Sequence, residues 1–158
     1  MLQQIESKIT IQAPLDVVWE LAQDVTKLPD IMPDLDIVRV LEREVLSDTS
    51  TRTVTEWHGR IKKLNRKMQW VEEDVWDATD HTCRFKQLRG DFTEYNGEWR
   101  FREENGATVA DLVVNYSFEI PLLGAVVRQV LKKLVQENSD TMLRCLSDEA
   151  ARRANAEG

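Results

Sequence analysis

The sequence predicts an α+β domain in which one strand and two short helices precede six antiparallel strands, and a long helix closes the chain. Three observations carry this. Apolar and polar residues alternate with period two across much of residues 36–120. Turn residues interrupt that stretch at short intervals. Beyond Pro121 and Gly124 the apolar residues shift to three- and four-residue spacing.

The elements follow in order. In residues 3–12, QQIESKITIQ, Ile9 and Ile11 alternate with Lys8 and Thr10, which is a strand. Ala13-Pro14 opens a helix, with Asp16 in the first turn, where the helix dipole favours an acid. Leu15, Val18, Trp19 and Ala22 share one face of it. A second short helix covers 26–31, with Pro29 in its first turn and Pro33 ending it. Turn signals at LSDTS (46–50), Gly59 to Leu64, DATDH (77–81), Gly90-Asp91 and Asn105-Gly106 then divide the chain. They leave strands at 36–46, 50–58, 65–76, 82–90, 93–104 and 107–119. Hairpin after hairpin makes an antiparallel meander.

The last helix is predicted over 124–153, with a stripe of Val127, Val130, Leu131, Leu134, Met142 and Cys145. At ~1.5 Å per residue it is roughly 40 Å long, and a ten-residue strand is roughly 33 Å. One helix therefore crosses the width of a curved sheet. The reading is one domain over 1–153 and a frayed polar tail at 154–158.

The chain has 158 residues, enough for one domain that buries roughly 70% of its unfolded surface. No apolar run is long enough to span a bilayer. The start, MLQQIESKIT, lacks the apolar core of a signal peptide, so a cytoplasmic protein is expected. A net charge of −7 argues against a general nucleic-acid binder, and no DNA partner is expected. The two cysteines, Cys83 and Cys145, read as reduced thiols.

Three segments, in this order, carry a family resemblance: ITIQAPLDVVWELAQDVTKLPDIMPDL (9–35), GDFTEYNGEWRF (90–101) and IPLLGAVVRQVLKKLVQENSDTMLRCL (120–146). They resemble the SRPBCC or START-like helix-grip superfamily, and within it the polyketide cyclase/dehydrase proteins. Coenzyme Q-binding proteins and plant pollen allergens share that fold. The resemblance covers nearly the whole chain and includes no catalytic motif. It implies a curved antiparallel sheet of about seven strands wrapped around the C-terminal helix, with an apolar cavity between them.

Strand parity nominates the lining of such a cavity. Tyr95, Gly97, Trp99 and Phe101 share one face of their strand, and charged residues take the other. The inward sets of the remaining strands are Thr53, Thr55 and Trp57; Arg66, Met68, Trp70 and Glu72; Phe85 and Gln87; and Leu112, Val114, Tyr116 and Phe118. Asn138 interrupts the helix stripe between Leu134 and Met142. The candidate ligand-binding residues are Trp57, Met68, Trp70, Phe85, Gln87, Tyr95, Trp99, Phe101, Tyr116, Leu134, Asn138 and Met142. The same residues also suit an ordinary filled core. Arg66 and Glu72 are expected at sheet ends, reaching solvent.

Linear motifs for catalysis are absent. His58 is expected to face outward and His81 to sit in a turn. No spacing gives a metal site or a phosphate loop, and no cofactor is expected. In polyketide aromatase/cyclases the resemblance implies a pocket arginine. Arg52 lies in the comparable strand but shares parity with Glu56 and His58, opposite Trp57.

The expected function is binding of a small hydrophobic molecule, aromatic polyketide-, quinone- or lipid-like, between sheet and helix. A polyketide cyclase/dehydrase-type lyase orienting a poly-keto chain is the catalytic alternative. A third alternative uses the basic run RIKKLNRK (60–67) to dock an acidic carrier protein or an RNA backbone. Monomer and homodimer both remain open.

Overall fold

The computed structural model describes residues 2–61, 65–118 and 125–157. Strand β1 (Gln3–Ile11) leads into helix α1 (Leu15–Gln23), a 3₁₀ turn (Val25–Lys27) and helix α2 (Leu28–Ile31). The meander follows as β2 (Leu35–Val45), β3 (Ser50–Ile61), β4 (Arg66–Asp77), β5 (Thr82–Gly90), β6 (Glu94–Glu104) and β7 (Ala107–Ser117). Helix α3 (Ala125–Glu157) ends the described chain.

All seven strands form one antiparallel sheet in the order β1-β7-β6-β5-β4-β3-β2. Consecutive hairpins build β2 to β7, and the first strand returns to pair with the last. This is the predicted helix-grip architecture. Helix α3 lies against β1 and α1. Two polar ties fix it there: Ser7 Oγ bonds Asp140, and Gln136 Nε2 donates to Glu6 O at 2.9 Å. The Asn105-Gly106 hairpin forms as its residues demand, with φ of 53° and 80°.

Period-two parity orders the inward residues of the sheet, with register shifts interrupting it along β2 and between β4 and β5. Trp57, Met68, Phe85, Phe101, Leu112, Val114 and Tyr116 are all buried on the concave side. Three expectations need correction. Gly59 is not in a turn but inside β3, opposite Leu35 and Met68. A Cβ there would stand 3.2 Å from Asp34 O, so the glycine permits a close backbone approach. Val130 faces solvent, because the buried stripe of α3 runs through Leu131, Leu134, Leu143, Leu146 and Ala150. Finally, α3 continues to Glu157 rather than ending near 153. Pro121, Gly124 and the side chain of Val127 lie outside the described residues.

Candidate functional site

A segmented cavity occupies the space between the concave face of the sheet and the helices. Its outer compartment holds about 110 Å³, bounded by Met68, Trp70, Phe92, Tyr95, Asn138 and Met142 among others. A middle compartment of about 70 Å³ is walled by Trp57, Trp70, Phe85, Tyr95, Trp99, Leu112 and Met142. An inner one of about 40 Å³ lies against Val25, Met32, Trp57, Trp76, Trp99, Phe101 and Leu146. The outer and middle compartments share Leu35, Trp70, Tyr95, Val114, Ser139 and Met142. The middle and inner ones share Trp57, Glu72 and Trp99. The tryptophans thus partition the space rather than fill it.

The aromatic walls come from cross-strand pairing. Trp57 and Trp70 are register partners on β3 and β4, parallel within 4° with ring centroids 6.0 Å apart. Phe92 stacks on Tyr95 at 4.5 Å and meets Trp70 edge-on at 5.6 Å. Gly97 explains the gap in the aromatic row of β6. Its partner Phe85 covers it, and a Cβ at Gly97 would lie 2.5 Å from Phe85 Cζ and 2.1 Å from Val113 O.

Two carboxyl groups interrupt this apolar surface. Glu72 and Asp74 are 5% and 3% exposed, two residues apart on the concave side of β4. Glu72 lines the inner and middle compartments and Asp74 the inner one. Trp70 Nε1 donates to Glu72 Oε1 at 2.7 Å. Thr55 Oγ1 and Thr53 Oγ1 donate to Asp74 Oδ2 at 2.7 and 3.2 Å. Trp57 Nε1 in turn donates to Thr55 Oγ1 at 2.7 Å, and Trp76 Nε1 to Thr53 Oγ1 at 3.3 Å. Among the described residues no salt bridge reaches either carboxyl.

Burial, the neighbouring Asp74 charge and the hydrogen bond between the two carboxyls push Glu72 well above the usual carboxylate range. Burial also raises Asp74, opposed by hydrogen bonds from Glu72, Thr55 and Thr53 that favour its charged form. Both carboxyls are raised, Glu72 the further, so the pair sets a proton donor beside a potential acceptor. Burial, then the charges of Glu72 and Asp74, push the Tyr95 phenol well above its ordinary value.

The family model described as "Polyketide cyclase / dehydrase and lipid transport" matches residues 11–143. The chain belongs to this family. A relative named "Putative polyketide cyclase" from Streptomyces cyaneus is 28% identical over 105 residues. That alignment covers 65% of this chain and 65% of the relative, so the match spans just under two thirds of the relative's length. Among solved structures, a Thermus thermophilus protein, TTHA0849, is 29% identical with a TM-score of 0.87, covering 96% of this chain and 99% of that one. The Zhui aromatase/cyclase from Streptomyces sp. R1128 also has a TM-score of 0.87, at 25% identity, over 100% of this chain and 99% of that one. The family's description spans both cyclase/dehydrase and lipid-transport proteins.

Nine of the twelve candidate residues in this polyketide cyclase/dehydrase family chain line the cavity: Trp57, Met68, Trp70, Phe85, Tyr95, Trp99, Phe101, Asn138 and Met142. Gln87, Tyr116 and Leu134 are not among the described residues that line these three compartments. The Gln87 amide is used on the backbone of Phe92, donating to its O at 2.8 Å and accepting from its N at 3.3 Å. Tyr116 and Leu134 are buried, and the Tyr116 hydroxyl has no hydrogen-bond partner among the described residues. Glu72 corrects an expectation: it is buried, not at a solvent-reaching sheet end, because β4 carries it beneath the helices with Trp70 as its donor. Arg66 is exposed, its guanidinium 5.0 Å from the Phe118 ring centroid.

Asp74 was not singled out from sequence, though it continues the parity of Met68, Trp70 and Glu72. Arg52 lies on the convex face, donating to Glu73 at 2.7 Å, and His58 pairs there with Glu56 at 3.3 Å. His81 occupies a turn with φ of 55°. Both cysteines are free. Of the basic run, residues 62–64 lie outside the described residues, and Arg60 pairs with Asp36 at 2.9 Å. Among the described residues no helix is long and apolar enough to cross a membrane.

Proposed function

We propose that this protein encloses a small hydrophobic molecule, aromatic polyketide-, quinone- or lipid-like, that carries an oxygen function partway along its length. The observation behind this reading is the position of Glu72. It is a buried carboxyl, held above the usual carboxylate range, in an otherwise largely apolar wall at the junction of two compartments. Apolar contact supplies affinity at about 0.8 kcal/mol per buried CH₂. A carbonyl or hydroxyl opposite Glu72 fixes the ligand's position along the cavity, because a buried polar group needs a partner. Native mass spectrometry of the purified full chain, with solvent extraction of anything released, is the direct test. A discrete apolar, oxygen-bearing molecule supports the reading. An apo mass that persists after adding quinones, fatty acids and aromatic polyketide analogues counts against it.

A second reading is favoured by the same two carboxyls: a cyclase/dehydrase-type lyase. Asp74 removes a proton from the carbon next to a ligand carbonyl. Glu72 gives its proton to the carbonyl oxygen, forming an enol, or to a β-hydroxyl, which departs as water. One proton is taken and one given. Transfer from Asp74 to Glu72 across their hydrogen bond restores the starting state. The cavity holds the chain in position and excludes bulk water. On this reading Glu72→Gln and Asp74→Asn each lower turnover of a β-hydroxyketone at least a hundredfold while ligand affinity changes less than tenfold. Wild-type turnover in both variants would remove the catalytic reading and leave the binding one intact.

A further inference from the structure

The free edge of β2 has the chemistry of a self-complementary interface. β2 is the last strand of the sheet, and α2 and the 3₁₀ turn lie against it. From Arg39 to Val45 every residue is exposed. Among the described residues, eight large hydrophobic side chains are exposed, and five of them fall between Ile37 and Leu46. Val45 is the most exposed, at 71%. An edge strand also presents unpaired backbone N–H and C=O groups. Charges and bulges commonly blunt such edges, and β2 has both. Blunting accounts for Arg39, Glu42, Arg43 and Glu44. It does not account for Val40, Leu41, Val45 and Leu46 in the same ten residues.

The bulge decides how two copies fit. Before it, Val38 and Val40 lie opposite Trp57 and Thr55; after it, Arg43 and Val45 lie opposite Thr53 and Thr51. The register skips Leu41. Val40 and Val45 are therefore on the concave face despite their odd spacing, and Arg39 and Glu44 share the convex face. Antiparallel strands related by a two-fold axis bring residues of the same face opposite each other. An axis between Leu41 and Glu42 sets Arg39 opposite the partner's Glu44 on both sides of the axis. Axes through Glu42 or Arg43 set like charges opposite one another, which is unfavourable.

We propose that β2 pairs antiparallel with β2 of a second copy of this chain, centred on the Leu41 bulge, joining two sheets into one. The dimer covers the aliphatic cluster and satisfies the open backbone edge. In this register Arg39 faces the partner's Glu44 on both sides of the axis.

Analytical ultracentrifugation of the full chain, from micromolar to millimolar concentration, tests this with charge-reversed variants. Wild type dimerises. Arg39→Glu and Glu44→Arg each raise the dissociation constant roughly tenfold or more, because each replaces two opposite-charge pairs with like-charge pairs. An equimolar mixture of the two variants regains wild-type association, since each supplies the charge the other lacks. Leu88→Asp, at an exposed position on β5, leaves association unchanged. Circular dichroism confirms that each variant is folded. A wild-type monomer throughout, or dimers that ignore both reversals, overturns the proposal. So does a mixture no tighter than its components.

Discussion

Trp70 donates its indole N–H to Glu72 Oε1 at 2.7 Å, and Glu72 is in turn hydrogen-bonded to Asp74. A Glu72 carboxyl held protonated in the folded protein makes stability depend on pH with a definite sign. The unfolded chain releases this proton near 4.5, while the folded chain keeps it to well above that value. Between the two, the native state binds more protons, so stability falls as pH rises. Below 4.5 both states hold the proton and the penalty vanishes. Glu72→Gln keeps the shape and removes the titration. Its advantage over wild type should grow from pH 4.5 upward, by at most about 1.4 kcal/mol per pH unit. Urea midpoints measured across that range check it; parallel curves for the two proteins would contradict the assignment of the proton.

Thr55 joins two networks, donating to Asp74 and accepting from Trp57 Nε1. Thr55→Val removes both bonds at a position with no solvent exposure. Asp74 loses a donor that favours its charge, and the indole loses its acceptor. The expected cost is about 1–3 kcal/mol for each group left unpaired. Thr55→Ser, which keeps the hydroxyl, should lose much less. Chemical denaturation of the two variants gives the comparison.

Much of the fold was legible because parity and turn chemistry are local. Strand boundaries follow from Asn105-Gly106 and its counterparts, and the burial of Trp57, Met68 and Phe101 follows from alternation alone. Glu72 and Asp74 show the limit. Alternation placed Glu72 on the inward face, yet a charged residue there reads as a rim position. Glu72 is bonded by Trp70, two residues back on the same strand, and Asp74 by Thr53 and Thr55, which strand register brings alongside it. Gln87 shows the reverse. Its inward parity suits a ligand contact, but its amide bonds the backbone of Phe92, five residues onward. Val130 was misplaced because consecutive valines and leucines at the start of α3 leave the buried face ambiguous by one residue.

Trp99 borders both the inner and middle compartments. Trp99→Ala should weaken binding of a recovered or added ligand by about tenfold to a hundredfold, the range expected for one large buried side chain. Calorimetric titration measures it. Unchanged affinity would move the ligand to the outer compartment, which Trp99 does not border.

Gly97 allows Phe85 to lie across β6. Gly97→Val would drive its side chain into Val113 O and the Phe85 ring. The β6–β7 pairing must open to admit it, at an expected cost of about 1–3 kcal/mol or more. Adding Phe85→Ala relieves the ring clash but not the carbonyl one, so the double variant should stay destabilised. Thermal denaturation distinguishes these outcomes.

The two-point tie between Gln87 and Phe92 separates how fast from how tightly. Phe92 borders the outer compartment and touches Trp70, Tyr95 and Phe118. A neutral amide on the neighbouring strand holds its backbone, not a contact to the cavity's contents. Exchange between the interior and bulk solvent can therefore be set by the lifetime of that clasp. For a molecule held as proposed, residence time is then a trait of the hairpin, adjustable at Gln87 without changing the cavity walls.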